Sequence, residues 1–66
     1  MKFEMALVHL RKGKKIREKG WTQKNSYVVI EKVGNSERIY LKETSYVGAY
    51  MFNDHDILHG VWEIVE

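Results

Sequence analysis

Apolar residues fall at Phe3, Ala6, Leu7 and Leu10, the i, i+3, i+4, i+7 spacing of one helix face. Glu4 in the first turn and Arg11 and Lys12 in the last suit the helix dipole, and Gly13 is a natural C-terminal cap. The pattern therefore predicts a helix over residues 3–12. Met5 and Val8 lie off that face, so they either widen the buried stripe or meet a partner subunit.

Period-two patterning takes over afterwards. Lys15 to Lys19 has Ile16 as its single apolar residue, which predicts at most a short edge strand whose lysines discourage edge pairing. Gly20 ends it, and Trp21 to Ser26 reads as a polar loop opened by a tryptophan. Tyr27 to Val33 is the strongest strand signal, and its apolar run from Tyr27 to Ile30 suggests burial on both faces at the centre of a sheet. Gly34-Asn35 is a hairpin signal of the II′ type, so residues 37–42 should return antiparallel, with Ile39 and Leu41 on one face and Arg38 and Tyr40 on the other. A turn at Lys42-Glu43-Thr44 leads to a third strand, Tyr46 to Met51, in which Gly48 marks a bulge or a close backbone approach.

Asn53 can cap a short helix over residues 54–59, with Asp56 as its capping-box partner and Gly60 as its end. Val61 to Val65 alternates as a final strand. The fold class is α+β: an N-terminal helix, an antiparallel β-meander, a short second helix and a C-terminal strand, in one domain over residues 1–66.

Composition changes this picture in three ways. A chain of 66 residues buries only about 60% of its unfolded surface, so it needs a staple. With no cysteine, disulfides and thiolate zinc sites are excluded, and self-association is the obvious staple left. The apolar runs are too short for a bilayer span or a signal peptide, which points to the cytoplasm and away from membranes. Charge is uneven: Arg11 to Lys19 holds six of the eleven basic residues, whereas Asp54, Asp56, Glu63 and Glu66 follow Phe52 with no Lys or Arg. That asymmetry fits an anionic ligand near the basic end, or head-to-tail contact between subunits.

Catalytic chemistry finds little support. His55 and His59 stand i, i+4 around Asp56, but the helix is short, the acid is not Glu, and only His9 remains as a third imidazole, so no metal is expected. There is no Gly-rich phosphate loop, no cysteine nucleophile and no nucleophile elbow, so no catalysis and no cofactor are expected. Binding is better served. Arg17 can pair with a phosphate through two parallel hydrogen bonds, and Trp21, Tyr50 or Trp62 can stack on a base. The plainer readings are that Arg17 is a solvated strand residue, Trp21 a lid on the core and Trp62 part of it.

Met1-Lys2-Phe3, Ala6-Leu7, Leu10, Gly13-Lys14-Lys15-Ile16, Arg17 and Gly20-Trp21, with Asp56-Ile57-Leu58 and Trp62-Glu63-Ile64 at the end, resemble the second family of Thoeris anti-defence proteins. These are small phage proteins, once described only as a domain of unknown function. The resemblance spans nearly the whole chain and is vaguest from Val33 to Ala49. It implies a small α+β homo-oligomer, a homodimer or homotetramer, in the cytoplasm of an infected bacterium. Such proteins act as sponges that bind cyclic ADP-ribose-type signals, and in some cases cyclic dinucleotides, without cleaving them. By matching position, Arg17, Trp21, Asp56 and Trp62 are implied as the pocket or its support, and Tyr50 stands where a stacking tryptophan is usual. The chain departs from the pattern at Phe52, at Val61 in place of an acid, and at Gln23 and Asn25 in place of glycines.

The expected roles are phosphate binding for Arg17, base stacking for Trp21 and Tyr50, and sugar-hydroxyl binding or helix capping for Asp56. Two rival readings are a nucleic-acid-binding module that uses Arg11 to Lys19 as a phosphate-tracking strip, and a protein-binding adaptor. Nine acids dilute the basic strip and no duplex-reading motif is visible, which argues against nucleic acid.

Overall fold

A computed structural model describes residues 1–23 and 25–66; Lys24, within the segment read as a loop, lies outside the described residues. The expected first helix forms as α1, Phe3–Arg11, with Ala6 and Leu10 buried. Its end is a Schellman motif. Gly13 takes a left-handed φ of 86°, its N–H donates to the Leu10 carbonyl, and the Lys14 N–H reaches back to the His9 carbonyl. Met5 and Val8 are exposed.

The strands are β1 (Lys15–Glu18), β2 (Tyr27–Val33), β3 (Ser36–Glu43), β4 (Tyr46–Ala49) and β5 (Trp62–Val65), with α2 (Asp54–Leu58) between the last two. They form one antiparallel sheet in the order β4-β3-β2-β1-β5, with β2 at its centre as its apolar run suggested. In the β2–β3 hairpin Val33 pairs with Ser36, and φ is positive at Gly34 but not at Asn35, as a II′ turn requires.

Several sequence expectations need correction. β1 is not an edge strand: it lies between β2 and β5, with Ile16 opposite both Val28 and Ile64. One core-facing residue suffices because Ile16 is fully buried, while Lys15 projects to the opposite face and lies over the Tyr27 ring. The turn after β3 falls at Thr44–Ser45 rather than 42–44, because Lys42 and Glu43 stay in register with Val47 and Tyr46. Finally, β4 stops at Ala49, short of Met51, as Tyr50 turns into the core cluster while Met51 stays exposed.

Against expectation, Gly48 marks neither a bulge nor a close backbone approach: it pairs in regular register with Leu41, and what lies against it is the tip of the Tyr46 side chain. In α2 the full capping box is present: the Asp56 N–H donates to Asn53 Oδ1 at 2.8 Å, and the Asn53 N–H to Asp56 Oδ2 at 3.2 Å. The helix is one residue shorter than expected, with His59 as its C-cap.

The core comprises Ala6, Leu10, Ile16, Val28 and Trp62, with Phe3, Leu7, Trp21, Tyr50 and Phe52 packed against it. Both helices lie on the sheet face that carries Ile16, Val28 and Trp62. At one end of this face the core becomes an aromatic cluster centred on Trp62, whose ring lies within 6.4 Å of those of Phe3, Trp21 and Phe52. Gly60 permits this packing, because a Cβ there would meet the Asp56 carbonyl and the Trp62 indole nitrogen.

Candidate functional site

A tryptophan beginning a polar segment must be held by something other than that segment's own packing. Here the holder is Arg17. Its Nη2 donates to the carbonyls of Trp21 at 2.8 Å and Gln23 at 2.9 Å, and its Nε lies 3.7 Å from Glu63 on β5. The Ser26 hydroxyl donates to the same Gln23 carbonyl at 2.8 Å, and the Trp21 N–H to the Glu18 carbonyl at 3.1 Å. The guanidinium thus ties the loop to the end of β1.

Trp21, held in this way, faces two environments. Its inner side meets Trp62, at 5.8 Å between ring centroids, and its neighbour Tyr50 lies 6.0 Å away at 62°. This edge-to-face pair leaves no slot for a base between the rings, so a base would stack on the outside of the pair. That outside is a cleft of about 420 Å³ lined by Gly20, Trp21, Thr22, Gln23, Ser26, Leu41, Glu43 and Tyr50.

Tyr50 is fixed from behind. Its hydroxyl donates to Asp56 Oδ2 at 2.7 Å, the same oxygen that accepts from the Asn53 N–H. Asp56 is only 3% exposed, and its backbone carbonyl accepts from Trp62 Nε1 at 3.2 Å. One residue therefore caps α2, anchors the cleft tyrosine and receives the core indole. The Tyr50 phenol is pushed well above its ordinary value of 10.0, first by burial and then by the hydrogen bond and negative charge of Asp56.

Of the five residues singled out from the sequence, Trp21 and Tyr50 line the cleft. Arg17, Asp56 and Trp62 stand behind it: Arg17 under the loop, Asp56 under Tyr50, and Trp62 in the core at 0% exposure, as the plainer reading had it. Gly20, Thr22, Gln23, Ser26, Leu41 and Glu43 line the cleft without standing out from the sequence as binding residues. Glu43 was hidden by its assignment to a turn, although the alternation of Ile39 and Leu41 extends to it. It is also the only charged group among the described lining residues.

Two members of the basic segment already have partners within the chain. Lys15 lies over Tyr27 on the far face of the sheet, and Arg17 is engaged with the loop. His55 and His59 have ring centroids 5.9 Å apart, and no cluster of three or more metal-ligating side chains occurs among the described residues. No helix among them is long and apolar enough to cross a membrane.

Two predictions arise here. Arg17→Ala removes the donor that both loop carbonyls share, so amide hydrogen exchange at Trp21, whose N–H is bonded to the Glu18 carbonyl, should accelerate about tenfold. The second concerns alkali. The folded state holds the Tyr50 proton more tightly than the unfolded chain does, so this contribution to stability is complete below about pH 10 and is lost as pH rises beyond it. Tyr50→Phe should therefore show a shallower fall in melting temperature above about pH 10 than the wild type.

An α+β domain whose aromatic core opens at one end into a ligand-sized cleft is the class that this fold and site define. The chain belongs to the Thoeris anti-defense 2-like domain family (Tad2-like), which matches residues 1–65. It is a Thoeris anti-defence domain, in agreement with the resemblance seen in its sequence. Comparison with curated proteins gives no match.

Proposed function

We propose that this protein is a non-enzymatic sponge that binds a cyclic nucleotide immune signal, holds it intact and so keeps the host's Thoeris effector inactive. The observation that carries this reading is the aromatic-walled cleft at Trp21 and Tyr50 in a chain of an anti-defence family. Its volume, about 420 Å³, lies within the range of small-molecule sites. The ligand class is a cyclic ADP-ribose isomer such as glycocyclic ADP-ribose, with cyclic dinucleotides next in line.

In this account the base stacks on the outer side of the Trp21–Tyr50 pair, an interaction worth on the order of 1–3 kcal/mol. Glu43 faces sugar hydroxyls or exocyclic amines, while the buried Ser26 hydroxyl holds the loop through the Gln23 carbonyl. Arg17, Asp56 and Trp62 act through the walls they hold, Arg17 by fixing the loop and Asp56 by fixing Tyr50. The described lining offers Glu43 but no cation for the phosphates. A second subunit closing over the open side supplies them, so the working form is a homodimer or homotetramer in the cytoplasm of the infected cell.

Titrating the protein with glycocyclic ADP-ribose while following tryptophan fluorescence tests this reading. Quenching by the wild type, and a loss of affinity of about tenfold or more in a folded Trp21→Ala variant, are expected. Equal affinity in the two proteins would remove the cleft from the account.

A further inference from the structure

Helices α1 and α2 cover one face of the sheet, and among the described residues no helix lies over the other. On that face Arg17 is roofed by the 21–23 loop whose carbonyls it binds, and Val29 is only 9% exposed, while Arg38, Val47 and Ala49 are exposed. The register shows what the open face carries. Val47, Lys42 and Tyr27 stand side by side across β4, β3 and β2. In the next row are Ala49, Tyr40 and Val29, and beyond it Arg38 pairs with Glu31. Lys15, paired with Val65, extends the face across β1 and β5 and holds its ammonium 4.8 Å from the Tyr27 ring centroid.

Two tyrosines thus sit on neighbouring strands in diagonal positions, on the order of 7–8 Å apart by strand geometry. Around them stand Lys15, Arg38 and Lys42, with Glu31 as the one acid in the middle, and Glu31 already accepts from Lys42 Nζ at 2.5 Å. The face is apolar and aromatic in its middle rows and positive in balance.

We infer that this open sheet face is a platform for single-stranded nucleic acid, with Tyr40, and Tyr27 once Lys15 moves off its ring onto a phosphate, as base-stacking surfaces and Lys15, Arg38 and Lys42 as phosphate partners. Aromatic residues on adjacent strands of an open sheet are a recurring means of stacking unpaired bases, and the backbone then runs past flanking cations. A duplex hides its base faces and gains nothing from the tyrosines. Charge also decides against a second copy as the occupant. Pairing the face with itself sets cations against cations and strips them of water with only Glu31, and Glu63 already beside Arg17, in each copy to compensate. This platform lies on the opposite side of the sheet from the cleft, so the two sites stand or fall separately.

The test is fluorescence anisotropy with a labelled single strand of about ten nucleotides, beside the same sequence as a duplex. Three cations on a single strand predict that affinity falls about 20-fold between about 50 and 200 mM salt. Tyr40→Ala should weaken binding about fivefold or more. Tyr40→Phe should retain it, which controls for folding, and Trp21→Ala, in the cleft, should leave it unchanged. Absent binding at low salt, equal binding of the duplex, or full binding by a folded Tyr40→Ala variant would overturn the inference. So would a dimer that Arg38→Ala converts to monomer in sedimentation while oligonucleotide binding stays the same, which would make this face a self-association surface.

Discussion

Trp62→Ala is expected to leave the protein largely unfolded at 25 °C. Removing a fully buried aromatic side chain costs about 3–5 kcal/mol, and a domain of 66 residues has a total stability of roughly 3–10 kcal/mol. Trp62 is 0% exposed, and the rings of Phe3, Trp21 and Phe52 pack around it, so the hole cannot be filled without moving both helices or the loop. Trp62→Phe keeps most of the ring volume and loses the indole hydrogen bond to the Asp56 carbonyl, so a loss of about 1–2 kcal/mol is expected. Circular dichroism during urea unfolding separates the two variants. A Trp62→Ala protein as stable as Trp62→Phe would show that the aromatic cluster does not hold the fold.

The second large effect is at Asp56. Replacing it with alanine leaves the Tyr50 hydroxyl and the Asn53 N–H without their acceptor and removes one half of the capping box. The expected cost is about 2–4 kcal/mol, against about 1 kcal/mol for Asn53→Ala, which loses the cap but spares the tyrosine. Ligand binding separates stability from positioning. At a temperature where both variants remain folded, Asp56→Ala should bind a cyclic nucleotide more weakly than Asn53→Ala, because only the former releases Tyr50 from its place on the cleft wall. Equal affinities would mean that Tyr50 needs no anchor to serve the site.

Much of this arrangement was legible in the sequence because its signals are local. The face of Phe3, Ala6, Leu7 and Leu10, the stop at Gly13, the Gly34-Asn35 hairpin and the Asn53 to Asp56 capping box each sit within a few residues of one another. The place of β1 was not legible in that way. Its partners lie on β2 and on β5, at the far end of the chain, and a single Ile16 says nothing about which strands flank it. The aromatic residues of the site were legible by type, but their division of labour was not. Trp62 and Trp21 differ only in which side of the cluster they occupy, and the five-donor head of Arg17 suits a phosphate as well as it suits the two carbonyls it holds. The open sheet face was half visible: Arg38 and Tyr40 were expected on one side of their strand, yet nothing in the pattern says that both helices pack on the other.

The most direct test of the sponge account is calorimetric titration of the purified protein with glycocyclic ADP-ribose, followed by heating the complex and chromatography of the released ligand. The account predicts tight, saturable binding with the ligand returned unchanged. Ligand returned in altered form would reveal an enzyme, and no heat of binding would contradict the assignment of this cleft to that signal.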